Sequence, residues 1–458
     1  MDGRPLSIGQ EALWFLHRMN PAGTEYNGAA SVRIHADVDL ELLEAALRAT
    51  AERHSMLRST FEDGPSGQPE RRIHVDRVPR LERRSAASAA EEQVAAAIDE
   101  FAAVPFDLRS DLPFRFLALS AGAGAGAGVG TGGGETVLAV VAHHIAMDYT
   151  SEMLILEETL QHYAAMVAGE PADLPKPGEF DDFVAQERAA LAPARRARSE
   201  EYWRSHCLPL PEGLDGLTDR PRPDVLSAAG ATMRTTLPPG FSDELDTVAR
   251  ALGVTPFVYL FSVFQTLLYQ RTRRADFLVG YTASCRTRPR TRNVAGYLVN
   301  TPPYRVALDD RMTFREVVEK SSRELGEALG HIAYPFAMLP RLLKAPRSRS
   351  RSPLVQVLFN FLSSKPLGRM GKSRDQQGLA RVADIPVSLG PGTSPSGNYD
   401  FIVEITQLKE NAVLGIQYKT DIFDAATIEE LGQDLVTLFD RVRSDADSSI
   451  RSLQPGLP

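Results

Sequence analysis

The chain has 458 residues, 43% hydrophobic content and a formal net charge of -8. It can therefore bury a large core, and at about 150 residues per domain its length predicts roughly two to three domains. The acidic balance argues against wholesale wrapping of nucleic acid. No stretch approaches the roughly 18 apolar residues of a membrane helix, and the start "MDGRPLSIGQ" lacks the charged-then-apolar plan of a secretory signal. The expectation is a globular, cytoplasmic, monomeric protein with neither nucleic acid nor membrane as partner.

In chain order, "SVRIH" (31–35) alternates like a strand, and from Asp39 the residues Leu43, Leu47 and Thr50 recur at helical spacing. "LPFRFLALS" and "TVLAVVA" are strand-like runs joined by "AGAGAGAGVGTGGG" (121–134), which reads as a floppy hairpin connection because it lacks the lysine of a phosphate loop. Leu156, Leu160, Tyr163 and Val167 mark an amphipathic helix ending before Gly169. "AGEPADLPKPGEFDD" (168–182) is rich in proline and glycine with little to pack, as a domain crossing would be, and places the boundary near 175. Beyond it, "ATMRTTL" precedes "FSDELDTVARAL", and Thr255 caps a helix whose first residue is Pro256, running through Phe257, Leu260, Phe264 and Leu268. Strand-then-helix order thus occurs in both halves. Cys207 and Cys285 are too few for a disulfide framework or a zinc site and read as small buried apolar residues, as Trp14 and Trp203 read as core.

The segment "VVAHHIAMDYTS" (140–151) carries the chemistry. "TVLAVVA" is apolar without alternation, so it predicts a strand buried on both faces that delivers His143 and His144 at its end. Successive strand residues face opposite ways, so only one imidazole can address a given substrate. A metal reading lacks a third ligand at a recognised spacing, and a serine-hydrolase reading lacks a Gly-x-Ser-x-Gly elbow. Transfer between pre-bound substrates, with histidine as base, remains.

"HHIAMDY" resembles the H-H-x-x-x-D-G signature of condensation domains from nonribosomal peptide synthetases. Other family motifs are matched in order along nearly the whole chain: "LSIGQEALWFL" (6–16), "RHSMLRSTF" (53–61), "EYW" (201–203), "VGYTASCRTR" with "GYLVNTPPYR", "HIAYPFAMLPRLL" (331–343) and "SRSPLVQVLFN" (350–360). The resemblance implies an α/β (α+β) fold of two chloramphenicol-acetyltransferase-like subdomains, 1–175 and 176–458, in a V-shaped pseudo-dimer with a tunnel at their junction. It implies no intrinsically bound cofactor or metal, because the phosphopantetheine arm arrives on an acyl or peptidyl carrier protein. The acceptor, carrier-bound or a small molecule, attacks the donor thioester to give an amide or ester.

By the same resemblance, His144 takes or positions the acceptor proton, Asp148 is structural and held by an arginine, Arg286 matches the arginine of the fifth motif and Arg58 that of the second. His143, facing the other way, is a packing residue before it is a chemical one. Asn300 contacts the arm or holds a loop, and Tyr399 and Asp400 line the tunnel or pack at a strand end. Arginines at 195, 196 and 198, and at 286, 288, 290 and 292, meet an acidic carrier or are solvated surface.

Tyr149 departs from the family glycine and either reshapes the acceptor path, pointing to an unusual acceptor or a polyketide donor, or merely packs. It keeps open a noncatalytic recruitment domain beside the condensing enzyme. An epimerising relative and a coenzyme-A-dependent acyltransferase are further alternatives. A free-standing enzyme and a domain of a larger synthetase are both compatible with the sequence.

Overall fold

The apolar run that the sequence places before the histidines becomes an inner strand of a sheet. In the computed structural model, which describes residues 3–86, 90–121, 135–346, 348–363, 380–407 and 412–453, the strand Glu135–His143 pairs antiparallel with Asn27–Ile34 on one side and Phe114–Ala121 on the other. Val137 through Ala142 are all at most 1% exposed, as a strand covered on both faces requires. The full order of this sheet is Ala380–Val382, Ile385–Leu389, Asn27–Ile34, Glu135–His143, Phe114–Ala121, Leu81–Ala86. The glycine-rich connection read from the sequence lies, after Ala121, outside the described residues.

Helix Leu40–Arg53 starts where Asp39 accepts hydrogen bonds from the Glu41 and Leu42 amides, and it buries Leu43, Leu47 and Thr50 against Tyr149–Ala168. The latter helix stops at Gly169, whose φ of 71° is the left-handed cap that glycine adopts without strain. The first helix faces as its periodicity predicts. The second ends where predicted and buries Leu156, Leu160 and Tyr163, but Val167 at its last turn is exposed and Glu152, Glu157 and Glu158 are buried too, so it is not the amphipathic helix the sequence suggests.

These elements form one compact unit, comprising described residues up to 189 together with 286–299 and 380–395. The proline- and glycine-rich run predicts one passage near residue 175. The first passage falls instead between Ala189 and Ala190, inside the run of two helices Phe180–Ala190 and Pro193–Cys207, and two later segments return to the first unit.

The second unit contains a six-stranded sheet of its own, in the order Pro303–Ala307, Asp276–Tyr281, Val357–Ser363, Phe401–Gln407, Ala412–Lys419, Gly230–Thr236. The two pairings made by Val357–Ser363 are parallel and the rest antiparallel. Thr255 caps Pro256–Thr272 through the Val258 amide, and this helix is buried from Val258 to Gln270, which explains its apolar character all round. With mixed helix and sheet in both units, the fold class agrees with the sequence expectation. Cys207 and Cys285 are free and buried, and Trp14 and Trp203 lie in the core.

Phe264, fully buried, stacks on Phe359 with ring centroids 5.2 Å apart. Phe264→Ala removes that volume from a site that cannot fully collapse and is expected to destabilise the protein by about 3–5 kcal/mol. A chemical-denaturation midpoint equal to that of the parent protein contradicts this packing.

Candidate functional site

The two histidines part company at the strand end. His143 is still in register, opposite Asn27, and is 2% exposed. Its Nδ1 accepts from the Ile145 amide at 3.1 Å, and its ring meets His17 edge-on at 5.8 Å. Burial pushes its pKa down to about 3, so it is a neutral packing group at any physiological pH.

His144 is half-buried. Its amide donates to the Tyr26 carbonyl at 2.7 Å, and its Nδ1 lies 2.8 Å from the Met147 carbonyl oxygen. A carbonyl can only accept, so Nδ1 carries the hydrogen and the Nε2 lone pair is left open. Nε2 has no hydrogen-bond partner among the described residues. Burial lowers the His144 pKa, against the opposing pull of the Met147 carbonyl and Asp148. A neutral imidazole on a rigid turn with an open nitrogen can accept a proton.

Asp148 makes the turn rigid. It is the N-cap of Tyr149–Ala168, accepting from the Ser151 amide at 2.9 Å and lying 2.8 Å from the Ser151 hydroxyl. Arg286 donates to both carboxylate oxygens, at 2.7 and 2.8 Å, and the Leu298 amide donates to Oδ2 at 2.9 Å. The Asp148 amide in turn donates to the Gly296 carbonyl. Burial opposes the charge, but Arg286, the Leu298 amide and Ser151 prevail and hold the carboxyl below its ordinary range. The assignment of Asp148 to structure and Arg286 to its support is thus what the geometry displays.

Arg58 is elsewhere. It donates to the carbonyls of Ala51, His74 and Glu52, so it closes the end of helix Leu40–Arg53, whose last carbonyls have no partner within the helix. It does not support Asp148, and that expectation is corrected.

Three contributors escape a reading of the sequence. Gln10, in the opening motif, donates its side-chain amide to the Ile145 carbonyl at 2.8 Å from a fully buried position. The helix carrying it, Ile8–Met19, starts with a Ser7 capping box, and its first amide, on Ile8, donates to Glu187 Oε2 at 2.8 Å. Burial pushes the Glu187 carboxyl up to about 7. Tyr297 is the aromatic side chain seen against His144, edge-on with centroids 4.8 Å apart. Sequence separations of more than a hundred residues hide all three, although Gln10 and Tyr297 lie inside recognisable motifs.

Tyr149 is the first residue of its helix, half-buried, and its φ is not among the positive ones, so the backbone there does not demand glycine. Asn300 spends its amide on the loop 332–336, donating to the Ile332 and Tyr334 carbonyls and accepting from the Phe336 amide, all at 2.8 Å. Its loop-holding reading is the one the geometry displays. Tyr399 bonds to Thr301 and packs beside the Trp203 cluster, and Asp400 is clamped by Arg222. Arg196 pairs with Glu200, while Arg288, Arg290 and Arg292 are exposed. Among the described residues no group of three or more His, Cys, Asp or Glu side chains is arranged to hold a metal ion.

A family model described as "Condensation domain" matches residues 2–455. A linear gramicidin synthase from Brevibacillus parabrevis is 33% identical over 457 residues, covering 98% of this chain and 6% of the synthase. The chain therefore spans a small fraction of that relative's length. Among solved structures, the first condensation domain of the calcium-dependent antibiotic synthetase in complex with a substrate analogue superposes with a TM-score of 0.83 at 20% identity over all of both chains. The X-domain from teicoplanin biosynthesis gives 0.79 at 24% identity, covering 99% of this chain and 98% of that one. At these identities the structural likeness establishes the fold.

Asp148→Ala leaves the Arg286 guanidinium buried without its counter-charge and is expected to cost about 3–5 kcal/mol. Because the folded-state pKa is depressed, the stability from Asp148 is present above the ordinary carboxyl value and is lost as pH falls through the folded value. Thermal melts of the variant and parent at pH 7 check this, and equal melting temperatures contradict it.

Proposed function

The chain belongs to the condensation-domain family, and we propose that it transfers an acyl group from the phosphopantetheine thioester of a carrier protein to an amine or hydroxyl acceptor. The product is an amide or ester in nonribosomal peptide or hybrid polyketide assembly. The observation that carries this reading is the open Nε2 of His144, with Nδ1–H fixed on the Met147 carbonyl. The arm belongs to the carrier and enters as part of the substrate, so the chemistry asks of this chain a positioned base and a place for two reactants.

The acceptor nitrogen or oxygen attacks the thioester carbonyl and forms the new C–N or C–O bond. Its proton passes to His144 Nε2. The tetrahedral oxyanion then collapses, the C–S bond breaks, and the imidazolium returns the proton to the departing thiolate. An alcohol, a poor nucleophile while protonated, depends on the base more than a free amine does. Asp148 takes no proton in this scheme; it keeps the turn in place.

Tyr149, where the family pattern has glycine, favours one second reading, a recruitment domain that binds a partner protein without turnover. The X-domain of teicoplanin biosynthesis has been solved in a complex with OxyB and shares this fold. Intact-mass spectrometry of acyl-loaded carrier proteins incubated with amines and alcohols separates the two readings. Condensation predicts a mass transfer that His144→Ala reduces by at least about a hundredfold. Binding without transfer, indifferent to His144→Ala, supports recruitment.

The pH profile is a further check. Burial holds the His144 pKa below the ordinary imidazole value, so the neutral base predominates at pH 7. The rate should rise with pH through a midpoint below 6.5 and be flat above it with respect to this group. A midpoint above 7 in kcat/KM contradicts the assignment.

A further inference from the structure

We propose that Tyr297 is a positioning residue for His144, its ring seating the imidazole so that Nε2 stays presented to the acceptor. The proposal rests on the condensation reading for its chemistry, but its geometry stands apart from turnover.

Tyr297 is held by a bracket. On one side of it, the Gly296 carbonyl accepts from the Asp148 amide at 3.2 Å; on the other, the Leu298 amide donates to the Asp148 carboxylate at 2.9 Å. The Gly296 amide is also held, donating to the Ser151 hydroxyl at 3.0 Å. The two residues flanking Tyr297 are thus tied to the motif aspartate that lies four positions after His144. The ring this backbone presents meets the His144 ring at 4.8 Å with an interplanar angle of 76°, the edge-to-face arrangement that aromatic quadrupoles favour.

The opening helix leaves room for that ring. A Cβ on Gly9 would lie 2.6 Å from Tyr297 Cε1, closer than real contacts allow. Gly9 therefore permits a close approach, and any side chain there displaces the ring. Gln10, the next residue, holds the Ile145 carbonyl directly after His144. Three distant segments, 8–10, 144–148 and 296–298, thus fix one imidazole. Its hydrogen-bonded nitrogen is set by Met147, and its remaining freedom, tilt about that bond, is limited by Tyr297.

Charged and titratable neighbours of His144 are Asp148 and His143. Tyr297 covers one flank of the imidazole edge-on. Its removal lets water reach the imidazole, which favours the charged form and loosens the tautomer.

The test is nitrogen-15 NMR of the full chain labelled at histidine, with the His144 signals assigned by their loss in His144→Gln. In the parent and in Tyr297→Phe, the shifts should report hydrogen on Nδ1 and a titration midpoint below 6.5. In Tyr297→Ala, the midpoint should move up toward 6.5 and the tautomers should mix. Gly9→Ala should shift His144 in the same direction in the parent background and add nothing in the Tyr297→Ala background.

If Tyr297→Ala does not fold, Tyr297→Thr carries the same test, since it too removes the ring and lets water reach the imidazole. Unchanged midpoint and tautomer in the folded variant overturn the proposal, as does a Gly9→Ala effect of equal size in both backgrounds. Where transfer is measured, kcat should fall about 3- to 10-fold on loss of the ring contact, with KM for the carrier unchanged. A parent protein with no transfer at all but the expected NMR shifts would remove the condensation reading and leave the positioning role intact.

Discussion

The buried pair of Asp148 and Arg286 is the constraint on which the histidine site depends. Its side chains are 2% and 7% exposed, so both charges have left water, a cost that only close geometry offsets. The carboxylate is met by the two guanidinium nitrogens and by two backbone amides. Those donors come from three pieces of chain: the first turn of helix Tyr149–Ala168, Arg286 and Leu298. One side chain therefore caps a helix, ends a loop and recruits a returning segment. The aspartate of the motif is better understood as the keystone of a turn than as a participant in proton transfer.

The division of labour between the adjacent histidines follows from strand periodicity and from what each Nδ1 meets. His143 Nδ1 accepts from an amide and its ring is sealed among His17 and Tyr26, so it stays neutral and inert. His144 Nδ1 faces a carbonyl, which forces the opposite tautomer and leaves Nε2 available. The same side chain, one residue apart, thus becomes packing in one place and a base in the other. Burial lowers both pKa values, but His144 is half-buried where His143 is sealed.

Support for the loop also comes from its front. The opening helix contributes Gln10 to the Ile145 carbonyl and the absence of a side chain at Gly9 to the Tyr297 ring, and its own first amide is satisfied by Glu187. A carboxylate at a helix N-terminus is electrostatically favourable, yet burial beside Glu11 makes its charge expensive and raises its pKa. The opening motif is accordingly a structural brace for a site more than a hundred residues away.

Local sequence was enough for whatever is set by periodicity and capping. The apolar run of 136–142 determined a doubly buried strand, Asp39, Thr255 and Gly169 marked helix ends, and the order of motifs identified the family and with it His144, Asp148 and Arg286. It misjudged Arg58, because an arginine in a motif does not reveal whether its donors go to a carboxylate or to the open carbonyls at a nearby helix end. It could not choose for Asn300 between a ligand and a loop clamp, and it overlooked Tyr297. Nor could it mark the return of residues 286–299 to the first unit, since that passage is decided by a bidentate bond across 138 residues of chain. Patterns of period two and 3.6 are written in neighbouring residues, whereas the tautomer of an imidazole, the partner of a guanidinium and the ring that rests on a histidine are set by which distant segments the folded core brings within about 3 to 5 Å.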